Sequence, residues 1–253
     1  MTQITILIVL FGLLESTCRG DYFDADYIVL LHGLARSKQS MSRLEARLSA
    51  EGFRVLNIDY PSRSKGIQAL AEETIKQAIL CCRDKGAKKI HFVTHSMGGI
   101  LVRCYLKQHD LPELGRVVML SPPNGGSEVV DMFRDWSFFR WVNGPAGEEL
   151  GTDQNSLPKK LGPVDFELGV ITGDRSLNLL LSCIIPGPDD GKVSVRSAKV
   201  KGMKDFLVIH TSHPFIMQNL KVIEQTAHFL KQGKFIDEPP KNRLRRADQE
   251  EDL

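Results

Sequence analysis

Lys89-Ile90-His91-Phe92-Val93 is a β-branched and apolar run, and Ile100-Leu101-Val102-Arg103-Cys104-Tyr105-Leu106 has a helical pattern. Only Thr94-His95-Ser96-Met97-Gly98-Gly99 separates them. A strand must therefore turn sharply into a helix at Ser96. Small residues around the serine let strand and helix approach closely. The turn lifts the serine Oγ out of the sheet, and the Met97 N–H falls at the N-terminus of the helix, where it can face a negative charge. A turn of this kind implies a sheet with helices packed against it.

The remainder of the chain alternates the same two patterns. Tyr27-Ile28-Val29-Leu30-Leu31 is a continuous apolar run, as a strand buried on both faces requires. Residues 40–50 read as a helix with Met41, Leu44 and Leu48 on one face. Residues 54–60 form a strand stopped by Pro61. Ile67, Leu70, Ala71, Ile75, Ala78, Ile79 and Cys82 mark an amphipathic helix that Gly86 ends. Further strands are predicted over 116–120, 167–172 and 205–210, and a last helix over 214–231. Alternating strands and helices imply parallel strands joined by right-handed crossovers. The predicted fold is α/β: a doubly wound, mostly parallel sheet of about six strands with helices on both faces. Sites in such sheets lie at the carboxyl ends of strands, where Ser96 falls. The 253 residues, 42% hydrophobic and 25% charged, suffice for one large domain with a buried sheet. A net charge of +2, with both signs interspersed, carries no nucleic-acid footprint.

Two segments depart from this rhythm. Residues 124–165 are rich in Gly and Pro and carry Phe133, Trp136, Phe138, Phe139 and Trp141. A connection of this length is expected as a lid-like insertion. Its rings are expected either to meet an apolar substrate group or to pack the insertion onto the body. Residues 239–253 are polar, end in an acidic run and are expected to form a disordered tail. At the other end, the apolar run 4–14 is too short to span a bilayer comfortably. It fits the apolar core of a signal peptide over residues 1–20, with Ser16, Cys18 and Gly20 near the cleavage point and no basic residue ahead of it. The mature domain then spans 21–238 and is periplasmic or secreted; a membrane-anchored or cytoplasmic protein is the alternative. Cys81, Cys82, Cys104 and Cys183 match no zinc-ligand or disulfide spacing. Cys82, on the apolar face of its helix, reads as a buried small hydrophobe.

A serine nucleophile needs a general base, and the base needs an orienting acid, both from other strand ends. His213 lies between the last strand and the last helix. Its rivals are His210 at the end of that strand, His228 within the helix and His95 beside the serine. Asp190 precedes Gly191 in the turn-rich Gly187-Pro188-Asp189-Asp190-Gly191-Lys192-Val193, where a tight turn can aim its carboxylate at an imidazole. Asp189 reads as a brace of that turn, and Asp174 as an ordinary turn residue. A developing oxyanion needs a second N–H besides that of Met97. Leu34 is the candidate, in the His32-Gly33-Leu34 loop after the first strand, where the glycine lets the backbone approach a ligand.

Leu31-His32-Gly33, Thr94-His95-Ser96-Met97-Gly98-Gly99, Asp190-Gly191 and His213 together resemble the α/β-hydrolase superfamily, near its lipase and esterase branch, over residues 27–235. Pro122-Pro123-Asn124-Gly125-Gly126-Ser127 and Gly191-Lys192-Val193-Ser194-Val195 make the chain similar, more closely, to a bacterial group of exported hydrolases of this type. The resemblance implies a triad of Ser96, Asp190 and His213, in that chain order, and no particular substrate. One departure is Thr94, which stands where the superfamily pattern G-x-S-x-G has its first glycine and whose β-branched side chain crowds the turn.

The expected reaction is acyl transfer to water. His213 takes the Ser96 proton, the Leu34 and Met97 amides stabilise the oxyanion, and Asp190 orients the imidazole. No metal or organic cofactor is needed. The expected partner is a small-molecule or lipid ester, with His32, Trp136 and Trp141 as candidate contacts and a membrane surface as a further one. The alternatives are an acyltransferase using the same residues and a non-catalytic binding protein on this fold.

Overall fold

A computed structural model describes residues 26–237; the signal peptide and the tail read from the sequence lie outside these described residues. Six parallel strands form one sheet in the order β2-β1-β3-β4-β5-β6. They are β1 Tyr27–Leu31, β2 Arg54–Ile58, β3 Ile90–His95, β4 Leu114–Leu120, β5 Leu168–Gly173 and β6 Asp205–Ile209. Each lies where an apolar run predicts it, with ends moved by at most two residues. The helices are α1 Ser42–Ala50, α2 Ile67–Asp84, α3 Met97–Leu106, α4 Glu128–Phe133, α5 Ser137–Glu148, α6 Leu157–Leu161, α7 Leu179–Ser182, α8 Val195–Ala198 and α9 Leu220–Gln232.

Successive strand residues point to opposite faces, so each buried strand feeds two cores. Ile28, Leu30, Val93 and Val118 pack with Leu44 and Leu48 of α1 and with Val222, Ile223 and Phe229 of α9. Val29, Phe92 and Val117 pack with Ile75 and Ile79 of α2 and with Ile100 and Leu101 of α3 on the other face. Cys82 is buried in this second core, and burial pushes its thiol up to about 12.

The last helix begins at Leu220, six residues later than the apolar spacing suggests. Asn219, in extended backbone, accepts the N–H groups of Lys221 and Val222 at 2.9 and 3.3 Å and caps the helix there. Ile216–Gln218 ahead of it is a short 3-10 turn.

The strand order reverses at β1. The chain leaves β1 for β2 on one side, then crosses back to β3 and proceeds to β6 on the other. Loops leaving β1 and β3 therefore diverge, and a crevice opens at their carboxyl ends. Residues 124–165 beside it hold α4, α5 and α6. α5 breaks at Gly144 (φ 63°) ahead of Pro145, and a side chain at 144 would collide with the Arg63 carbonyl. The insertion is fastened by Arg103, buried on α3. Its guanidinium donates to the Asn124 carbonyl and side-chain oxygen, both at 3.1 Å, to the Pro158 carbonyl at 3.2 Å and to the Gly162 carbonyl at 2.6 Å. Burial without a carboxylate partner pulls its pKa down to about 10. Phe139 packs against the core, whereas Trp136, Phe138 and Trp141 are 61%, 71% and 77% exposed.

Candidate active site

Ser96 follows β3 and caps α3 at φ 53°, ψ −124°, a backbone state that costs a non-glycine residue about 1–3 kcal/mol. The surroundings over-determine it. Its N–H donates to the Leu120 carbonyl at 2.8 Å, and its carbonyl accepts the Gly99 N–H at 3.0 Å. Gly98 is required by close approach: a Cβ there would lie 2.9 Å from the Leu31 carbonyl oxygen and 3.0 Å from that of His32. The bulk of Thr94 is accommodated by Gly99, since a Cβ at 99 would lie only 3.2 Å from the Thr94 Oγ1. A threonine before the serine and a glycine after it thus give the clearance that a glycine at 94 gives in the superfamily pattern.

Ser96 and His213, beyond the ends of β3 and β6, come together with Asp190 from the loop between α7 and α8. His213 Nε2 is 3.2 Å from Ser96 Oγ, and His213 Nδ1 is 2.8 Å from Asp190 Oδ2. The other oxygen, Asp190 Oδ1, accepts the N–H groups of Lys192 and Val193 at 3.0 and 2.9 Å, so the turn aims the carboxylate. Burial pushes the Asp190 carboxyl up, but its interaction with the His213 ring and the hydrogen bonds of Ser121 and the Val193 N–H outweigh it and hold it below its ordinary value. An ionised Asp190 only accepts, so His213 carries its proton on Nδ1 and turns a bare Nε2 to the serine hydroxyl.

The rivals are engaged elsewhere. His210 pairs with Asp174 at 2.9 Å on the surface, its side chain 70% exposed. Asp189 braces the turn, accepting the Gly191 N–H at 2.7 Å and the Ser182 hydroxyl at 3.0 Å. His228 lies on α9. His95 is buried against His213, with ring centroids 4.8 Å apart, and its Nε2–H donates to the His213 carbonyl at 3.1 Å. Burial first, and then the neighbouring His213 ring and the charges of Arg36 and Lys192, hold His95 well below the ordinary imidazole range. No spacing in the sequence distinguishes this anchoring histidine from a bystander.

Gly33 brings the loop after β1 against the serine: a Cβ there would lie 3.1 Å from Ser96 Cβ. His32, expected to touch substrate, is instead wholly buried beneath this loop. Its Nδ1 lies 2.8 Å from the Gly33 carbonyl, its Nε2 3.3 Å from the Tyr60 N–H, and its ring stacks on Tyr60 at 4.2 Å. A carbonyl only accepts and an amide only donates, so these two bonds fit the neutral tautomer with the proton on Nδ1, while Asp59 Oδ1, 3.3 Å from Nε2, pulls towards a proton there. Burial outweighs the Gly33 carbonyl and Asp59 and lowers its pKa. Beside the loop an open groove of about 870 Å³ is lined by Arg36, Tyr60, Ser62, Arg63 and Trp141, among others. Trp136 packs edge-on against Phe133 instead, 5.1 Å away.

Among the described residues no three His, Cys, Asp or Glu side chains converge on a metal position, and no helix is long and apolar enough to cross a membrane.

No curated protein matches the chain by sequence. Among solved structures, the mature form of a Bacillus licheniformis lipase is 18% identical, covering 84% of this chain and 93% of that chain at a TM-score of 0.65. A metagenomic carboxyl esterase is 17% identical, covering 76% and 65% at a TM-score of 0.59. Phospholipase PlaB from Legionella pneumophila is 16% identical, covering 69% and 46% at 0.55. At such identities the likeness is one of fold. Residues 28–182 match the model of the alpha/beta hydrolase family. Because that match runs from β1 through the turn at Ser96 to the end of α7, well over half its length, the chain belongs to the α/β-hydrolase family.

Proposed function

We propose that the protein is a serine hydrolase that cleaves carboxylic esters through an acyl-enzyme on Ser96. The observation that carries this reading is the unbroken hydrogen-bonded series from Asp190 through His213 to a serine held on a strained turn. His213 Nε2 accepts the hydroxyl proton as Ser96 Oγ attacks the ester carbonyl. The oxyanion faces the N–H groups of Met97, at the start of α3, and of Leu34, in the loop that Gly33 brings against the serine. Asp190 stabilises the imidazolium without taking its proton. His213 then protonates the departing alcohol, and water attacks the acyl-enzyme by the same route in reverse.

The lipase and carboxyl esterase among the structural neighbours favour a small-molecule or lipid ester as substrate. Insertion 124–165 covers the cleft mouth in this reading. Residues 1–20 export the protein; N-terminal sequencing of the mature form checks this, and an intact Met1 refutes it. A fluorophosphonate probe tests the nucleophile. It labels the wild type and leaves Ser96→Ala unlabelled, and that substitution lowers p-nitrophenyl ester turnover on the order of 10⁴-fold with unchanged circular dichroism. An unlabelled wild type, or equal labelling of Ser96→Ala, overturns the reading.

A further inference from the structure

His95, the residue before the nucleophile, is 1% exposed, and the proposed reaction gives it no proton to move. Its ring meets two loops. One carries His213, whose ring centroid lies 4.8 Å away. The other carries Gly33: a Cβ there would lie 2.8 Å from His95 Nδ1 and 3.3 Å from its Cε1. His95 Nε2 is 3.1 Å from the His213 carbonyl oxygen. That oxygen can only accept, so the proton sits on Nε2 and Nδ1 is bare. The bare nitrogen is buried, and among the described residues it has no hydrogen-bond partner. A buried polar atom left unmatched is destabilising. A leucine in this place would carry no such atom. What an imidazole adds here is the Nε2–H bond to His213.

That bond closes a circuit. Residues 95 and 96 are joined by one peptide. The His95 ring donates to the backbone of His213, and the His213 ring returns to Ser96 Oγ at 3.2 Å. Asp190 holds the same base from its own loop. Its carbonyl accepts the His213 N–H at 2.9 Å, and its Oδ2 lies 2.8 Å from His213 Nδ1. Those two bonds tie the base to the acid and leave its distance from the serine open. The bond from His95 ties it to the turn that carries the nucleophile. His95 ends β3, where it lies in register with Leu120 of β4, so the donor projects from the frame of the sheet.

We infer that His95 is a positioning residue that sets the reach of the general base to the nucleophile. This rests on the ester-hydrolase reading and adds to it a part that touches neither substrate nor the reacting atoms. The Nε2–H of His95 holds the His213 carbonyl, the backbone carries the imidazole with it, and His213 Nε2 stays within reach of the serine hydroxyl. Misplacing a reacting group by about 1 Å costs on the order of 100-fold in rate. The Nδ1 edge of the same ring abuts Gly33, so this one side chain also bears on the loop that carries the Leu34 N–H.

Three substitutions separate the bond from the bulk. Gln sets an amide N–H near the place of Nε2, Asn sets one near that of Nδ1, and Phe keeps a flat ring without a donor. On one p-nitrophenyl ester, His95→Phe and His95→Asn are expected to lower kcat about 10- to 100-fold with KM little changed. His95→Gln is expected to return to within about 5-fold of the wild type. The rate at which a fluorophosphonate labels Ser96 should rank the variants in the same order, since labelling also draws on His213. A space-filling histidine predicts a different order, with Phe, the nearest in shape, as the best of the three. Phe equal to or better than Gln, equal losses in Gln and Asn, or wild-type kcat in all three overturns the inference and leaves the ester reading standing. Should His95→Phe fail to fold by circular dichroism, the Gln and Asn pair decides. A wild type that neither hydrolyses the ester nor labels at Ser96 brings down the ester reading itself.

Discussion

His32 holds the Gly33 carbonyl, and a trans peptide points the carbonyl of one residue and the N–H of the next in opposite directions. Fixing the Gly33 oxygen therefore fixes the direction of the Leu34 N–H. In the proposed reaction His32 is a positioning residue for the oxyanion donor. His32→Phe keeps the stack on Tyr60 and removes the ring donor; kcat is expected to fall roughly 10- to 100-fold with KM little changed. His32→Asn, whose amide can occupy the place of Nδ1–H, is expected to recover most of that loss. Steady-state kinetics on one p-nitrophenyl ester decide it, and equal effects of Phe and Asn refute the positioning role. The sequence marks Ser96 and His213 as site candidates because each lies just beyond a strand end, and Asp190 because it precedes Gly191 in a turn-rich loop. It is silent on the braces. His32 and His95 act through buried hydrogen bonds to groups that only the tertiary fold brings near.

The strands are legible for a physical reason. A parallel strand buried on both faces is a continuous apolar run, and the β1 and β3 runs read that way. The insertion is less legible because α4 and α6 span six and five residues, under two turns, too short for a 3.6-residue period to repeat. The start of α9 is missed because Ile216 continues the apolar spacing past the capping Asn219. Besides apolar packing by Val130, Ala146 and Leu150, the insertion is held to the core by Arg103 of α3, which reaches both of its ends. Arg103→Met leaves buried carbonyls of Asn124, Pro158 and Gly162 without their donor. Urea denaturation is expected to register a loss of about 3 kcal/mol or more, accompanied by faster proteolysis within residues 124–162. A loss under about 0.5 kcal/mol would show that water replaces the guanidinium freely.

Across the molecule, burial holds three histidines, His32, His91 and His95, below the ordinary value of 6.5. His91 illustrates the cause: it is buried, and its Nδ1 accepts the Arg116 N–H at 2.8 Å, a bond that a proton on Nδ1 would break. The unfolded chain takes up these protons near pH 6.5 and the native protein does not. Stability from these groups is therefore complete above pH 6.5 and is lost as the pH falls from there towards the native values. Each withheld proton adds about 1.4 kcal/mol per pH unit to the slope. Glu128 and Glu149, raised by half-burial, act in the opposite sense, but from 4.5 upward. Urea midpoints measured from pH 8 to pH 5 should fall below 6.5, and His91→Gln should flatten the decline; a level profile in the wild type refutes the argument. At this scale Arg103 has one more consequence. It grips the chain where the insertion leaves the core, at Asn124, and again where it returns, at Pro158 and Gly162. The segment between is a loop closed on itself, and the entropy of closing a loop grows only with the logarithm of its length. Length changes around the exposed Phe138 and Trp141 would therefore cost the closure little, whereas Val130, Ala146 and Leu150 belong to the core beneath the sheet and have to be kept.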